Sequence, residues 1–451
     1  MGDAGGRAGR DGGGAGVNHP FLTRLAAVVP TPPEGRLRKV GQGQCVAVGP
    51  DATLGDLCAI ERDDGGHALA EVIAVDGGEL VLVPLEQEAG LRPGARLWRS
   101  VAGGLTPVGN GFVGRAIDAL GRPIDGGPPV VGDAQRPIVG RILSPMERTM
   151  PHRVVETGIR AIDGLLTLGV GQRIGIFAAS GVGKTSLMEQ IVTQTGSDRC
   201  VLCLVGERGK EVEAIWRVLS ARRDAARFTL VAATSDQSAS LRARASGVAL
   251  AIAEHWRDQG EHVLLTIDSV TRLAMALREI GLAAGEPPTV RAYTPNVFAA
   301  LPRLVERCGA AASGGAITAV MTVLAESDEI DDPVAEVMKS LLDGHILLSR
   351  TLAERGQFPA IDLSRSISRQ ATRLMEPAHA AAARRAGAML GVYDEARILI
   401  ESGMVQPGAS AEIDAAIALR PGLLDFLQQG QAVRVAFRDA VAQLVRATAR
   451  G

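Results

Sequence analysis

A chain of 451 residues exceeds what one hydrophobic core ordinarily organises, so two or three domains are expected. Its 48 basic and 50 acidic residues leave a formal charge of −2, which argues against a protein devoted to coating nucleic acid. No stretch is long and apolar enough to span a bilayer, and the amino terminus lacks the apolar centre of a secretion signal, so a cytoplasmic location is expected.

Residues 1–19 form a Gly-rich tail, with eight glycines in 2–16, and such a segment buries too little apolar surface to order itself. Residues 20–104 read as a small β-barrel domain. Short apolar runs such as Gln44–Val48, Ala70–Val75 and Leu80–Val83 are punctuated there by Gly, Asp or Pro at spacings suited to turns. Residues 105–374 read as an α/β unit, opening with a Gly- and Pro-rich extended connection over 107–151. Apolar strands at Arg173–Phe177, Cys200–Val205, Thr229–Ala233, His262–Ile267 and Ile317–Val323 alternate with helical stretches such as Thr185–Gln194 and Ser240–Arg257. That alternation predicts a mainly parallel sheet. Residues 375–451 are Ala-rich and helical, as in Ala378–Leu390 and Leu423–Gln429, and predict a third domain. Cys200 and Cys203 have C-x-x-C spacing but lie within a strand, where residues three apart face opposite ways, so the five cysteines read as free thiols.

The chemistry concentrates at strand ends. Residues 178–185 (Ala-Ala-Ser-Gly-Val-Gly-Lys-Thr) join a strand to a helix. Gly181 and Gly183 allow successive N–H groups to turn toward one anion, and the helix adds its positive dipole end. Ser180, Gly181, Val182, Gly183, Lys184 and Thr185 are thus predicted to cradle the phosphates of ATP. Lys184 reaches the β/γ phosphates and the Thr185 hydroxyl ligates Mg²⁺. The pattern G-x-x-x-x-G-K-[ST] departs at its first position, Ala178. Asp268 closes an apolar strand, where a carboxylate is needed to hold Mg²⁺, usually through water. Glu207 follows the strand Cys200–Val205 and is the candidate base for the attacking water. Glu211, one helical turn on, is a candidate to position water around Mg²⁺. Arginine stabilises transition-state charge on a γ-phosphate, and Arg369 in Ser366–Arg369 is a candidate that position alone does not single out.

Together these segments resemble the type III secretion ATPases, flagellar and injectisome, which are relatives of the rotary F1 catalytic and non-catalytic subunits. The most specific stretch is Asp268–Pro288, continuing into Tyr293–Phe298 and Leu301–Glu306, with Ser180–Thr185, Gly206–Glu211, Leu342–Arg350 and Phe358–Asp362 in support. The family commonly has Ala at the position of Ala178. The resemblance implies an α/β fold with a RecA-like ATPase core between a β-barrel and a helical domain. It further implies a homohexamer with ATP at each subunit boundary, Glu207 as base, Asp268 as the Mg²⁺-site acid and Glu211 as a helper. Arg369 would be an arginine finger serving the neighbouring subunit, and Phe358 would lie against adenine. Implied partners are a stator-like regulator, a central stalk protein, export-gate components and chaperone–substrate complexes. Membrane association is expected to be peripheral, at the cytoplasmic face of the inner membrane.

Several positions depart from the family: Gln237-Ser-Ala stands for a Pro-containing run, Ala292 stands where Gly is common, and Ser327 likewise replaces Gly. Residues 2–16 offer no amphipathic helix for a regulatory partner. A rotary ATP synthase subunit remains an alternative, although residues 375–451 lack its acidic cluster. A ring RNA translocase is disfavoured because single-strand binding needs stacking aromatics, and the chain is 3% aromatic. A flagellar role is preferred over an injectisome one, with both open.

Overall fold

The computed structural model describes residues 34–41, 43–86, 89–100, 104–324, 332–406, 408 and 410–449. The Gly-rich segment 1–19 and Ser327 lie outside the described residues.

Six strands close into a barrel in the order Glu34–Gly41, Gln44–Val48, Glu79–Pro84, His67–Asp76, Leu57–Glu61 and Arg96–Arg99. Closure comes from Arg96–Arg99 pairing back onto the first strand, with Trp98 opposite Glu34. Strand alternation explains the core, since Ala68, Ala70 and Val72 turn inward while their neighbours face out. Leu37, Cys45, Ile60, Leu82 and Leu97 fill the centre.

The second unit is built on one sheet. Its strands run Ile361–Ser368, Gly344–Leu348, Arg173–Ala178, Ala316–Leu324, His262–Asp268, Arg199–Glu207, Phe228–Thr234 and Arg115–Asp118. All pair in parallel except Ile361–Ser368, which runs antiparallel to Gly344–Leu348. The inner strands are buried along both faces, as their near-continuous apolar runs require when helices cover both sides. Val201, Cys203 and Val205 pack on one face, and Cys200, Leu202 and Leu204 on the other. All five cysteines are buried free thiols.

The five expected strands are present within a residue or two of their expected ends. The reading of 107–151 as a plain connection is corrected. It supplies Leu105–Val108 paired with Ala134–Pro137, and Arg115–Asp118 adds an edge strand to the central sheet. Arg115 pins that strand by donating from Nε and Nη2 to Asp125 at 2.6 and 2.9 Å. Two further strands, Gly344–Leu348 and Ile361–Ser368, are not announced by the sequence pattern. Glu207, read as a loop residue, is instead the last residue of its strand.

Three helices, Pro377–Glu401, Ala411–Leu427 and Phe437–Ala449, form the carboxyl-terminal bundle. Phe426 and Leu444 press so closely on Gly164 that a Cβ there would lie 2.7 Å from the Phe426 ring. Among the described residues, no helix is long and apolar enough to cross a membrane.

Candidate functional site

Parallel strands place their carboxyl ends along one edge of the sheet, and four of those ends converge on the loop after Ala178. The loop needs glycine at two positions. Gly181 and Gly183 have φ of +82° and +94°, left-handed values that a side chain would strain. Gly183 caps the helix Lys184–Gln194, so the first helical N–H groups face the loop. Val182 is buried as the loop's anchor, whereas Ser180 and Thr185 are exposed. Lys184 stands at the first helical position, aimed across the strand ends.

There Lys184 Nζ bonds the Asp268 carboxylate and lies 3.8 Å from Glu207 Oε1. The intervening strand adds Thr322, whose hydroxyl donates to Asp268 Oδ1 at 2.6 Å. Arg272, in the first turn of Val270–Ala283, lies with Nη1 3.2 Å from Glu207 Oε2 and also donates to the Gly206 carbonyl. Glu207 and Asp268 are 4% and 6% exposed, so two carboxylates share a nearly dry site with one lysine between them.

Those surroundings set the proton affinity of Glu207. Burial, a hydrogen bond with Glu211 and the nearby Asp268 charge push its carboxyl up to about 7, against the opposing pull of Lys184 and Arg272. A carboxyl poised near neutrality suits a general base. Glu211, on the first turn of Gly209–Ser220, thus meets Glu207 directly.

Phe358 is half exposed and lies beside the loop, its ring 3.5 Å from where a Cβ on Gly183 would stand. It forms one wall of a cavity of about 270 Å³, with Leu187, Leu348, Ala360 and Gln429 among the other walls. A larger cavity, about 830 Å³, lies between barrel and sheet and shares no lining residue with the loop.

Arg369 is not brought to this cluster. It follows the antiparallel edge strand, its N–H donates to the Asp343 carbonyl at 3.0 Å, and Asp343 N–H in turn donates to Arg173. Arg369 therefore lies level with the amino end of the strand that leads into the loop. Its guanidinium is exposed and ion-pairs with no described carboxylate.

Arg272 and Thr322 are not among the residues that the sequence pattern singles out. Arg272 had a usable signal, since it stands four residues after the strand-ending Asp268, on the helix turn that faces back over the site. Thr322 had none, being one more β-branched residue in an apolar strand.

Residues 158–368 match the ATP synthase alpha/beta family, nucleotide-binding domain, and residues 375–446 match the T3SS EscN ATPase C-terminal domain. The flagellum-specific ATP synthase of Bacillus subtilis is 42% identical over 421 residues, spanning 92% of this chain and 95% of the relative. The chain belongs to the type III secretion ATPase family. Membership makes it a nucleotide-binding ATPase, and both branches of the family are similar to it. The Type 3 secretion system ATPase of Xanthomonas euvesicatoria is 43% identical over 399 residues, covering 88% of this chain and 89% of that protein. Among solved structures, the assembled ATPase EscN of the enteropathogenic E. coli type III secretion system superposes with a TM-score of 0.87 at 38% identity. It covers 92% of this chain and 100% of its own. EscN in complex with its central stalk EscO gives 0.83 at 37% identity.

Proposed function

We propose that this type III secretion ATPase hydrolyses Mg²⁺·ATP at the boundaries of a homohexameric ring and thereby drives or primes protein export through a flagellar apparatus. The observation that carries the catalytic part is the convergence of Lys184, Glu207 and Asp268 on neighbouring strand ends. ATP places its β- and γ-phosphates against the loop N–H groups and Lys184, which leaves its carboxylate partners to do so. Glu207, ionised, takes a proton from the water whose oxygen attacks the γ-phosphorus. The bond from that phosphorus to the bridging oxygen breaks, and ADP leaves with the electron pair. Arg272 keeps the Glu207 carboxylate oriented, and Glu211 relays or shares its proton. Arg369 of one subunit meets the charge on the γ-phosphate of its neighbour.

The donor set fits Mg²⁺. Among the described residues no cluster of His, Cys, Asp or Glu could cage a metal alone, and Mg²⁺ instead takes few protein oxygens plus phosphates and water. The Thr185 hydroxyl and the Asp268 carboxylate would hold it, and when bound it neutralises charge developing between the β- and γ-oxygens.

The flagellar reading rests on relatives named flagellum-specific ATP synthase, including one from Salmonella typhimurium that is 41% identical over 435 residues. The Xanthomonas relative favours a second reading, an injectisome ATPase. In either case the ring would work peripherally at the inner membrane, with a central stalk, a stator-like regulator, the export gate and chaperone–substrate complexes as partners. The test is a chromosomal Lys184→Ala allele scored for swimming and for secretion of needle-type substrates. Loss of swimming alone supports the flagellar role; loss of needle-type secretion alone transfers the chain to the second reading.

A further inference from the structure

Arg369 presents an exposed guanidinium, yet the chain from which it springs is held by buried polar groups. One residue before it, Ser368 Oγ donates to the Thr167 carbonyl at 3.1 Å and accepts from Gln172 Nε2 at 3.0 Å. Gln172 is fully buried, and its Oε1 accepts from the Gly169 N–H at 2.9 Å. Across the strand pair, a Cβ on Gly344 would run into the Ile367 carbonyl, so glycine lets the two strands close at this point. The Arg369 N–H then reaches the Asp343 carbonyl at 3.0 Å.

Asp343 is itself clamped. Its Oδ2 accepts from the Arg173 main-chain N–H at 2.9 Å and from Arg173 Nε at 3.0 Å, while its Oδ1 accepts from Nη2 at 3.0 Å. A two-point pair of this kind fixes direction as well as distance. Arg173 Nη1 donates to Glu306 Oε1 at 2.8 Å, and Arg148 Nη2 lies 3.0 Å from Glu306 Oε2, so the guanidinium is held from its far side too. A surface arginine whose task is solvation gains nothing from such a root. A guanidinium that has to meet charge developing on a phosphate does, because a misplacement of about 1 Å costs up to about 100-fold in rate.

Building on the reading that Arg369 serves the neighbouring subunit's ATP, we propose that Asp343 is the positioning residue of that arginine. Its carboxylate, gripped by Arg173, fixes the direction of its main-chain carbonyl, and the carbonyl fixes the point from which the Arg369 side chain extends. Arg173 opens the strand that ends in the phosphate loop, so each subunit's finger is rooted on the strand that carries its own nucleotide loop. Asp343 touches no nucleotide and acts through Arg369 alone.

The test is steady-state ATP hydrolysis by full-length rings of Asp343→Asn, alone and mixed with Lys184→Ala subunits. Asparagine keeps the size and the main-chain carbonyl but turns an amide donor toward the guanidinium in place of one oxygen. Alone, the variant should lose kcat by about tenfold or more, with KM for ATP within about twofold, since a finger acts in the transition state. In equal mixtures, Lys184→Ala subunits carry an intact Asp343 and lend their finger to Asp343→Asn neighbours. About a quarter of boundaries then combine an intact loop with a seated finger, so activity should exceed the mean of the two unmixed rings by about fivefold. Activity equal to that mean would place the damage in the variant's own ATP site and overturn the inference, as would a parental kcat for the variant alone. If Asp343→Asn rings fail to assemble, Arg173→Lys, which keeps the charge and gives up the two-point hold, is judged by the same outcomes. If Arg369→Ala itself hydrolyses ATP at the parental rate, Arg369 is no finger, and the underlying reading falls together with this one.

Discussion

Ser368 sits opposite Gly344, at the amino end of a parallel strand, in the antiparallel pair that edges the central sheet. Arg369 therefore leaves the sheet at the end opposite the phosphate loop. It is level with Arg173, five residues before Ala178, a separation of about 17 Å along a strand. An arginine side chain does not span that distance, so Arg369 cannot serve the ATP of its own subunit.

A finger of this kind is expected to act across a subunit boundary. Arg369→Ala and Lys184→Ala rings should each be inactive, whereas rings assembled from both should regain activity. Sites with an intact Lys184 would be served by an intact Arg369 next door, at about a quarter of boundaries in an equal random mixture. ATPase assays on mixed rings of verified composition measure this, and absence of rescue would contradict a finger in trans.

Arg272 lowers the proton affinity of Glu207, while burial, Glu211 and Asp268 raise it to about 7. The acid limb of kcat/KM should accordingly fall near neutrality, since the base must be ionised. Arg272→Ala removes a favourable partner of the carboxylate and should move that limb to higher pH. A limb that stays fixed would separate Arg272 from the base.

The same carboxyl makes a stability prediction with a definite sign. Glu207 titrates near 7 in the fold against 4.5 as its ordinary value, so between those pH values the folded chain holds a proton that the unfolded chain has released. Its stabilising contribution is complete below pH 4.5 and is lost as pH rises through 7. Glu207→Gln keeps the shape without the titration. The melting temperature of the variant should gain on that of the parent from pH 4.5 to 7 and then hold its lead. A difference independent of pH would contradict this environment for Glu207.

Ala292 has a left-handed φ of +60°, with Arg291 before it at +50°. A Cβ in the left-handed region costs about 1–2 kcal/mol, partly offset by the extra freedom glycine has when unfolded. Ala292→Gly should raise the melting temperature by about one or two degrees. An unchanged or lower value would show that the turn carries no strain.

What the sequence reveals follows from where the chemistry is local. The glycines, Lys184 and Thr185 occupy one turn, and Asp268 terminates an unbroken apolar run, so residue type and spacing suffice. Glu207 is legible as a carboxylate at a strand end, but its burial depends on Asp268, Glu211 and Arg272 arriving from other segments. Gly344–Leu348 and Ile361–Ser368 escape notice because their runs are short and, in the second, largely polar. Arg115–Asp118 is hidden by the glycines and prolines around it, and only its pairing with Phe228–Thr234 makes it a strand.

A base at Glu207, in an ATP hydrolysis site built with Lys184 and Asp268, can be removed without disturbing the phosphate loop. Single-turnover hydrolysis by Glu207→Gln, with ATP binding measured in parallel, tests it most directly. Near-parental ATP affinity and a rate lower by about 100-fold or more are expected. Hydrolysis at close to the parental rate, with binding intact, would contradict it.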